Sequence, residues 1–123
     1  MVKKIEPSEF QIQSAFVEWC NYNPDRLEDL DMYYATPNEG NRTKGERIKR
    51  IKEGMKKGVP DWCLPVPKGI YHGLFLEFKS KDGRLTKEQF LYLKRLSEHL
   101  YKVAVPRSLD QAIEVLRSYY ASA

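Results

Sequence analysis

Among its 123 residues the chain has only two cysteines, two histidines and seven glycines, and no apolar run approaches the roughly 18 residues that a membrane-spanning helix needs. Its N-terminus, Met1-Val2-Lys3-Lys4-Ile5, also lacks the apolar segment of a signal peptide. A soluble, cytoplasmic protein without a membrane partner is therefore expected. Cys20 and Cys63 lie far apart, in apolar patterns where buried thiols are ordinary, so no disulfide is required. His72 and His99 stand in no metal-binding spacing with a cysteine, which argues against a zinc site or a histidine base. Ser97 and Ser118 have no partner that would make either a nucleophile. No glycine-rich loop is arranged to cradle phosphates, so nucleotide hydrolysis is not indicated. Internal repeats and low-complexity stretches are absent as well.

What is present is the composition of a folded protein. Apolar residues make up 41% and charged residues 31%, with five Phe, eight Tyr and two Trp, too many core-forming side chains for a disordered chain. The length suits one hydrophobic core, so residues 1–123 read as a single domain. The net charge of +4 is unevenly spread. Within residues 42–57, Arg42, Lys44, Arg47, Lys49, Arg50, Lys52, Lys56 and Lys57 face only Glu46 and Glu53, a local +6 that leaves −2 for the rest. Two readings fit such a cluster. One is a solvated helix face; the other is the footprint of a polyanion such as DNA, where each phosphate contact releases condensed counterions.

Ser8 and Gln11 form a capping box ahead of Ile12, Ala15, Phe16, Trp19 and Cys20 at helical spacing, which predicts a first helix to about Asn21. After the Asn23-Pro24-Asp25 break, Asp31 to Thr36 reads as a short aromatic strand closed by the turn-like Pro37-Asn38-Glu39-Gly40. In the basic segment Ile48, Ile51 and Met55 share one helix face, so Gly45 to Gly54 is expected to be a short helix anchored by those three side chains. Asp61 to Val66 reads as a strand, with Pro65 marking an edge or a bulge. Tyr71 to Lys79 is the clearest strand, with Leu74, Leu76 and Phe78 on one face and Phe75, Glu77 and Lys79 on the other. A second capping box, Thr86 with Gln89, opens a helix that carries Phe90, Leu93, Leu96 and Leu100 inward to about His99. A strand at Tyr101 to Pro106 follows, and a third box, Ser108 with Gln111, opens a last helix bearing Ile113, Leu116 and Tyr120. The order α β (α) β β α β α implies an α/β fold, a mixed sheet flanked by helices.

The pattern that carries chemistry is Pro60-Asp61, then fifteen intervening residues, then Glu77-Phe78-Lys79. Opposed residues in an antiparallel pair share a constant index sum. A turn centred on Gly69 makes that sum 138 and sets Asp61 opposite Glu77. Alternation then puts Lys79 on the same face, whereas a one-residue slip would oppose Asp61 with Leu76. Two carboxylates so placed repel unless one is protonated or a cation lies between them. A divalent ion that takes oxygen ligands and keeps open water positions, Mg2+ or Mn2+, resolves the conflict and suits phosphodiester hydrolysis. Lys79 would position or deprotonate the attacking water and offset transition-state charge. The alternative is that Glu77 and Lys79 are cross-strand surface charges and Asp61 an ordinary turn residue.

Pro60-Asp61 with Glu77-Phe78-Lys79 resembles the PD-(D/E)XK nuclease superfamily. With Lys57-Gly58-Val59, Asn38-Glu39-Gly40, Gly73-Leu74, Gly83-Arg84-Leu85-Thr86 and Gln89 added, the chain is more closely similar to the VRR-NUC family, in particular to stand-alone, phage-type members that resemble Holliday junction resolvases. The resemblance runs from Glu9 to the last helix. It implies a restriction-endonuclease-like αβββαβ core and an Mg2+- or Mn2+-dependent endodeoxyribonuclease. Its metal would be held by Asp61, Glu77, the backbone carbonyl of Phe78 and an acidic residue of the first helix, for which Glu9 is the fitting position. Gln13, one turn further on, and Gln89 are further polar residues placed near that site. The residues by themselves leave Glu9 equally readable as a helix N-terminal acid favoured by the dipole, and Gln89 as a capping residue. The resemblance further implies a homodimer acting on branched DNA, with the basic segment as DNA contact, in the host-cell cytoplasm if a phage encodes the chain. Alternatives are a flap or single-strand nuclease or a nickase with the same site, or a catalytically silent DNA-binding module. A self-repelling carboxylate pair has no purpose in the last.

Overall fold

The computed structural model describes residues 5–37 and 43–122. Asn38, Glu39 and Gly40 of the motif, and the expected DNA contact Arg42, lie outside the described residues.

Helix α1 (Glu9–Tyr22) starts at the predicted capping box: Gln11 N donates to Ser8 Oγ at 3.2 Å and Ser8 N donates to Gln11 Oε1 at 2.9 Å. It ends at Asn23, a residue type that tolerates the left-handed φ of 47° found there. One turn of 3-10 helix, Leu30–Met32, replaces the first half of the expected strand and leaves β1 as Tyr34–Ala35. Burying Leu30 at 1% exposure after the left-handed turn at Asp29 outweighs strand propensity here.

Strand β2 (Trp62–Leu64) pairs antiparallel with β1 on one side and with β3 (Leu74–Leu76) on the other, and β4 (Lys102–Ala104) runs parallel to β3. The sheet order is β1-β2-β3-β4. Trp62 opposes Leu76, Cys63 opposes Phe75 and Leu64 opposes Leu74, which keeps the index sum of 138. Pro65 therefore marks neither an edge nor a bulge. β2 is an inner strand, and Pro65 follows its last paired residue, where a missing N–H costs no ladder bond. Backbone pairing beside β4 outruns the three residues of β3: Glu77 N donates to Ala104 O at 3.0 Å and Lys79 N to Pro106 O at 3.2 Å. Both candidate site residues, Glu77 and Lys79, thus stand on hydrogen-bonded backbone.

Ile12 and Phe16 of α1, with Ala112, Leu116 and Tyr119 of α4 (Leu109–Tyr120), pack on the face formed by Trp62, Leu64, Leu74, Leu76 and Phe78. Phe16 meets Trp62 edge-on at 5.2 Å and Phe78 at 5.6 Å. Helix α3 (Lys87–Glu98) approaches the opposite face, to which alternation assigns Glu77. Its capping box fixes where it starts, and the burial of Leu93 at 6% exposure turns the side carrying Gln89 and Leu93, one turn apart, inward. Phe90 and Leu100, expected inside, are instead 56% and 47% exposed. Phe90 is rotated about 100° from Gln89, and Leu100 lies past the helix end in a left-handed conformation at φ 64°. In α4, Ser108 Oγ accepts from Gln111 N as expected, but Gln111 Oε1 accepts from Arg107 N at 2.8 Å, so the third box closes one residue early.

Helix α2 (Lys44–Lys52) begins at Thr43, whose Oγ1 accepts from Glu46 N at 3.1 Å. Gly54 ends it at φ 104°, with Gly54 N donating to Ile51 O and Met55 N to Arg50 O, the paired bonds of a Schellman motif. Its expected apolar anchor is absent: Ile48 and Ile51 are 46% and 62% exposed. Helical period identifies a shared face without bringing a core within reach. Only Met55, turned back by Gly54, is half-buried.

Candidate active site

Asp61 immediately precedes β2 and Glu77 immediately follows β3, so the hairpin register brings the two together at one end of the sheet. Asp61 Oδ2 accepts from Phe78 N at 2.8 Å, which ties the carboxylate across the hairpin. From the other side Thr36 N donates to Asp61 O at 2.9 Å and Thr36 Oγ1 donates to Pro60 O at 2.8 Å. Asp61 is thereby fixed from both neighbouring segments.

Glu77 is 2% exposed. Its Oε2 accepts from Gln89 Nε2 at 3.3 Å and lies 3.6 Å from Lys79 Nζ. Gln89 Oε1 meanwhile accepts from Thr86 N at 2.9 Å. The amide therefore caps α3 with its oxygen and holds Glu77 with its nitrogen, so the two readings of Gln89 are both realised. Burial, and after it the charge and hydrogen bonding of Asp61, push the Glu77 carboxyl up to about 8, with Lys79 pulling the other way.

Lys79 is nearly buried and stands between Glu77 and Glu9, whose Oε1 is 3.7 Å from Nζ. Glu9 opens α1, half-exposed, and turns toward this ammonium. Among the described residues no three Asp, Glu, His or Cys side chains are grouped to hold a metal, so Glu9 is not a third carboxylate beside Asp61 and Glu77 in this arrangement. Its pairing with Lys79 is the competing attraction. Glu9 and Gln13 nevertheless line a cleft of about 390 Å3 with Thr36 and Asp61.

Asp61 and Thr36 also border a second cleft of about 560 Å3, with Gln89, Tyr92, Arg50 and Lys56 in its walls. Arg50 reaches it while paired to Glu53 at 3.2 Å. Lys57 borders the cleft next to it, whereas Lys44, Arg47, Lys49 and Lys52 are exposed on α2 and line neither. The basic segment is thus divided: its C-terminal end meets the site and most of α2 does not.

The donors suit a hard divalent cation. Two carboxylates, one of them desolvated and repelled into holding its proton, offer oxygen ligands whose conflict a cation would relieve. Backbone and water oxygens would complete the open sphere that Mg2+ or Mn2+ prefers, and among the described residues no Cys or His is grouped for tetrahedral zinc. The side chain of Phe78 belongs to the core, as expected, and its backbone N–H is bonded to the Asp61 carboxylate.

Three contributors escaped the sequence. Thr36 carries no motif. Tyr92 stands apart from the apolar stripe of Phe90, Leu93, Leu96 and Leu100 that marks helix α3 in the sequence. Arg107 Nη1 donates to Ser80 O at 2.8 Å and to Gly83 O at 2.6 Å, pinning the turn that follows Lys79. Nothing local to its own position announces that contact.

No curated protein matches the sequence. A solved structure described as a VRR_NUC domain protein superposes with a TM-score of 0.78 over 96% of this chain and 90% of its own, at 24% identity, a likeness of fold. The family model for the VRR-NUC domain matches residues 4–110. That span runs from ahead of α1 into α4, and a match of such extent makes the chain a member of the VRR-NUC domain family.

Proposed function

We propose that the protein is an Mg2+- or Mn2+-dependent endodeoxyribonuclease that cuts branched DNA, four-way junctions in particular, as a homodimer. Membership of the VRR-NUC family implies a nuclease-type function with DNA as substrate. The observation that supports a metal-dependent catalytic site is Glu77: a carboxyl 2% exposed, beside Asp61, 3.6 Å from Lys79 and pushed up to about 8. An arrangement that costly to fold is retained where chemistry uses it. It favours an active site over a silent DNA-binding module.

In this reading Asp61, Glu77 and the Phe78 carbonyl hold the ion, which when bound supplies Lewis-acid stabilisation of a phosphate oxygen. The Phe78 N–H fixes one oxygen of Asp61 and leaves the other to face a ligand. Gln89 orients Glu77 through Oε2. Lys79 offers its ammonium to the developing negative charge and orients the attacking water, with Glu9 restraining its swing. Glu9 itself becomes a ligand only by leaving Lys79. Gln13 and Thr36 border the approach, and Arg50 and Lys56 draw in the phosphate backbone along with the remaining cations of residues 42–57. Two-fold symmetry would present two such sites to the paired strands of a junction.

The test is cleavage of labelled four-way junction, flap, duplex and single-stranded DNA with Mg2+, Mn2+ or EDTA. Metal-dependent cutting that favours the junction and disappears in Asp61→Ala is the expected result. DNA binding with no cutting under either metal would overturn the enzyme reading, and equal cutting of all four substrates would overturn the branched-DNA reading. Sedimentation of the protein alone and with junction reads the dimer.

A further inference from the structure

We infer that one face of α3, with Lys56, Lys57 and Tyr101 opposite it, binds an unpaired polynucleotide strand leaving the Asp61 cleft, an extension that rests on the nuclease reading above and not on its preference for four-way junctions. Gln89, Tyr92, Arg95, Leu96 and His99 recur at three- and four-residue steps and so share one helix face. Gln89 stands at one end of that face, on Glu77. Tyr92 and Lys56 line the 560 Å3 cleft at Asp61 and also a neighbouring cleft of about 500 Å3. The second cleft is walled further by Lys57, Arg95, His99 and Tyr101, with no acidic side chain among its lining. The two clefts adjoin at Tyr92 and Lys56 and together make a trough along this face.

The far wall is held in place by a glycine. Gly58 has φ +82°, and a Cβ there would lie 2.6 Å from the Glu88 carbonyl carbon. The turn after Lys56-Lys57 thus packs backbone to backbone on the first turn of α3, which brings both lysines over the trough. Among the described residues, Lys56, Lys57 and Arg95 make no ion pair within 4.0 Å. Tyr101 is braced edge-on by Phe75 at 5.4 Å and His72 at 5.6 Å, and it leaves part of its ring exposed.

Unpaired cations with the braced ring of Tyr101 and the half-buried ring of Tyr92 are what a single strand requires: charge along the backbone and flat faces for bases to stack on. A blunt duplex offers the phosphates but no free base face, and an acidic peptide has no need of the rings. From Gln89 to His99 is ten helical steps, roughly 15 Å, which spans about four stacked nucleotides at ~3.4 Å each.

Fluorescence anisotropy with a labelled ten-residue oligo(dT), in EDTA so that nothing is cut, reads the site directly, with a blunt duplex of equal length as comparison. Tyr92→Ala is expected to weaken oligo(dT) binding about 5- to 100-fold. Arg95→Ala, an exposed position whose loss leaves the fold's thermal midpoint unchanged, is expected to weaken it about 5-fold or more and to lower the salt slope by ~0.7. Lys94→Ala, the same charge removed from α3 off this face, is expected to change binding less than about twofold. Equal loss for Arg95→Ala and Lys94→Ala, or equal loss for the blunt duplex and oligo(dT), would overturn the proposal. Cleavage by the unaltered protein with Mg2+ is scored separately: oligo(dT) binding that responds to Tyr92 and Arg95 without any cleavage would sink the nuclease reading and support the strand site.

Discussion

Raising the pH from 5 to 9 without divalent metal is expected to destabilise the fold chiefly through Glu77. Burial is the larger cause and Asp61 the second, and together they carry its carboxyl to about 8 from an ordinary 4.5. The folded protein therefore keeps this proton over a range in which the unfolded chain has lost it. The corresponding stability is full below about 4.5 and is lost as pH rises through about 8. At ~1.36 kcal/mol per pH unit the whole interval corresponds to about 5 kcal/mol. Water admitted beside Asp61 from the clefts would soften the effect, which leaves about 2 to 5 kcal/mol to be observed.

Urea unfolding followed by circular dichroism, at steps from pH 5 to 9 in EDTA, measures it in the protein and in Glu77→Gln. The amide is a neutral stand-in for the protonated acid. Asp25, lowered by its bond to Arg117, loses its contribution only in more acidic solution. The thiol of Cys20, raised to about 12, titrates identically in both proteins and subtracts out. The unaltered protein should lose stability toward pH 9 and Glu77→Gln should not. Mg2+ should restore more stability at pH 8.5 than at pH 6, because it competes with the proton for the same oxygen. Parallel pH curves for the two proteins would refute the assignment of the shift to Glu77, and a pH-independent Mg2+ effect would refute its role as ligand.

Leu100→Gly should stabilise the protein by about 1 kcal/mol, because a left-handed helix end at φ 64° suits glycine and Leu100 is 47% exposed; a lower thermal midpoint would contradict this. Gly58→Ala should cost about 2 kcal/mol or more, since it combines a φ of 82° with a Cβ 2.6 Å from the Glu88 backbone; an unchanged urea midpoint would show that the turn yields easily. Lys79→Ala should lower the cleavage rate about 10²- to 10³-fold while junction binding in EDTA changes less than about threefold; cutting at the original rate would remove Lys79 from the reaction.

The hairpin register was legible because the period of a strand is two: once Leu74, Leu76 and Phe78 are assigned inward, a slip by one residue would bury Glu77's neighbours on the wrong face. The helix starts at Ser8 and Thr86 were legible for a similarly local reason, a reciprocal bond between residues three apart. Periodicity failed where the answer depended on what lies across from an element. Ile48 and Ile51 form a face that no described residue covers, and Leu30 draws the expected strand into a turn. Glu9 fits the pattern of a ligand by sequence, yet the ammonium it meets belongs to a residue seventy positions away.

Gln89 shows how the legible and illegible parts join. Its spacing from Thr86 identifies a cap, and the cap leaves the amide nitrogen free to reach Glu77. That bond lies on the inward side of α3 with buried Leu93, and Tyr92, Arg95 and His99 follow Gln89 at helical spacing along the neighbouring face. A residue chosen only to begin a helix could be replaced by glutamate, another capping-box residue. Here Gln89→Glu would keep the cap but put a carboxylate against a buried carboxyl already pushed up to about 8. The expected result is a helix content that is preserved in circular dichroism and a metal requirement for cleavage shifted to lower Mg2+ or Mn2+, because a further carboxylate deepens the repulsion that a cation relieves. If Gln89→Glu cut DNA with an unaltered metal profile, the contact with Glu77 would be incidental and the cap alone would account for the glutamine.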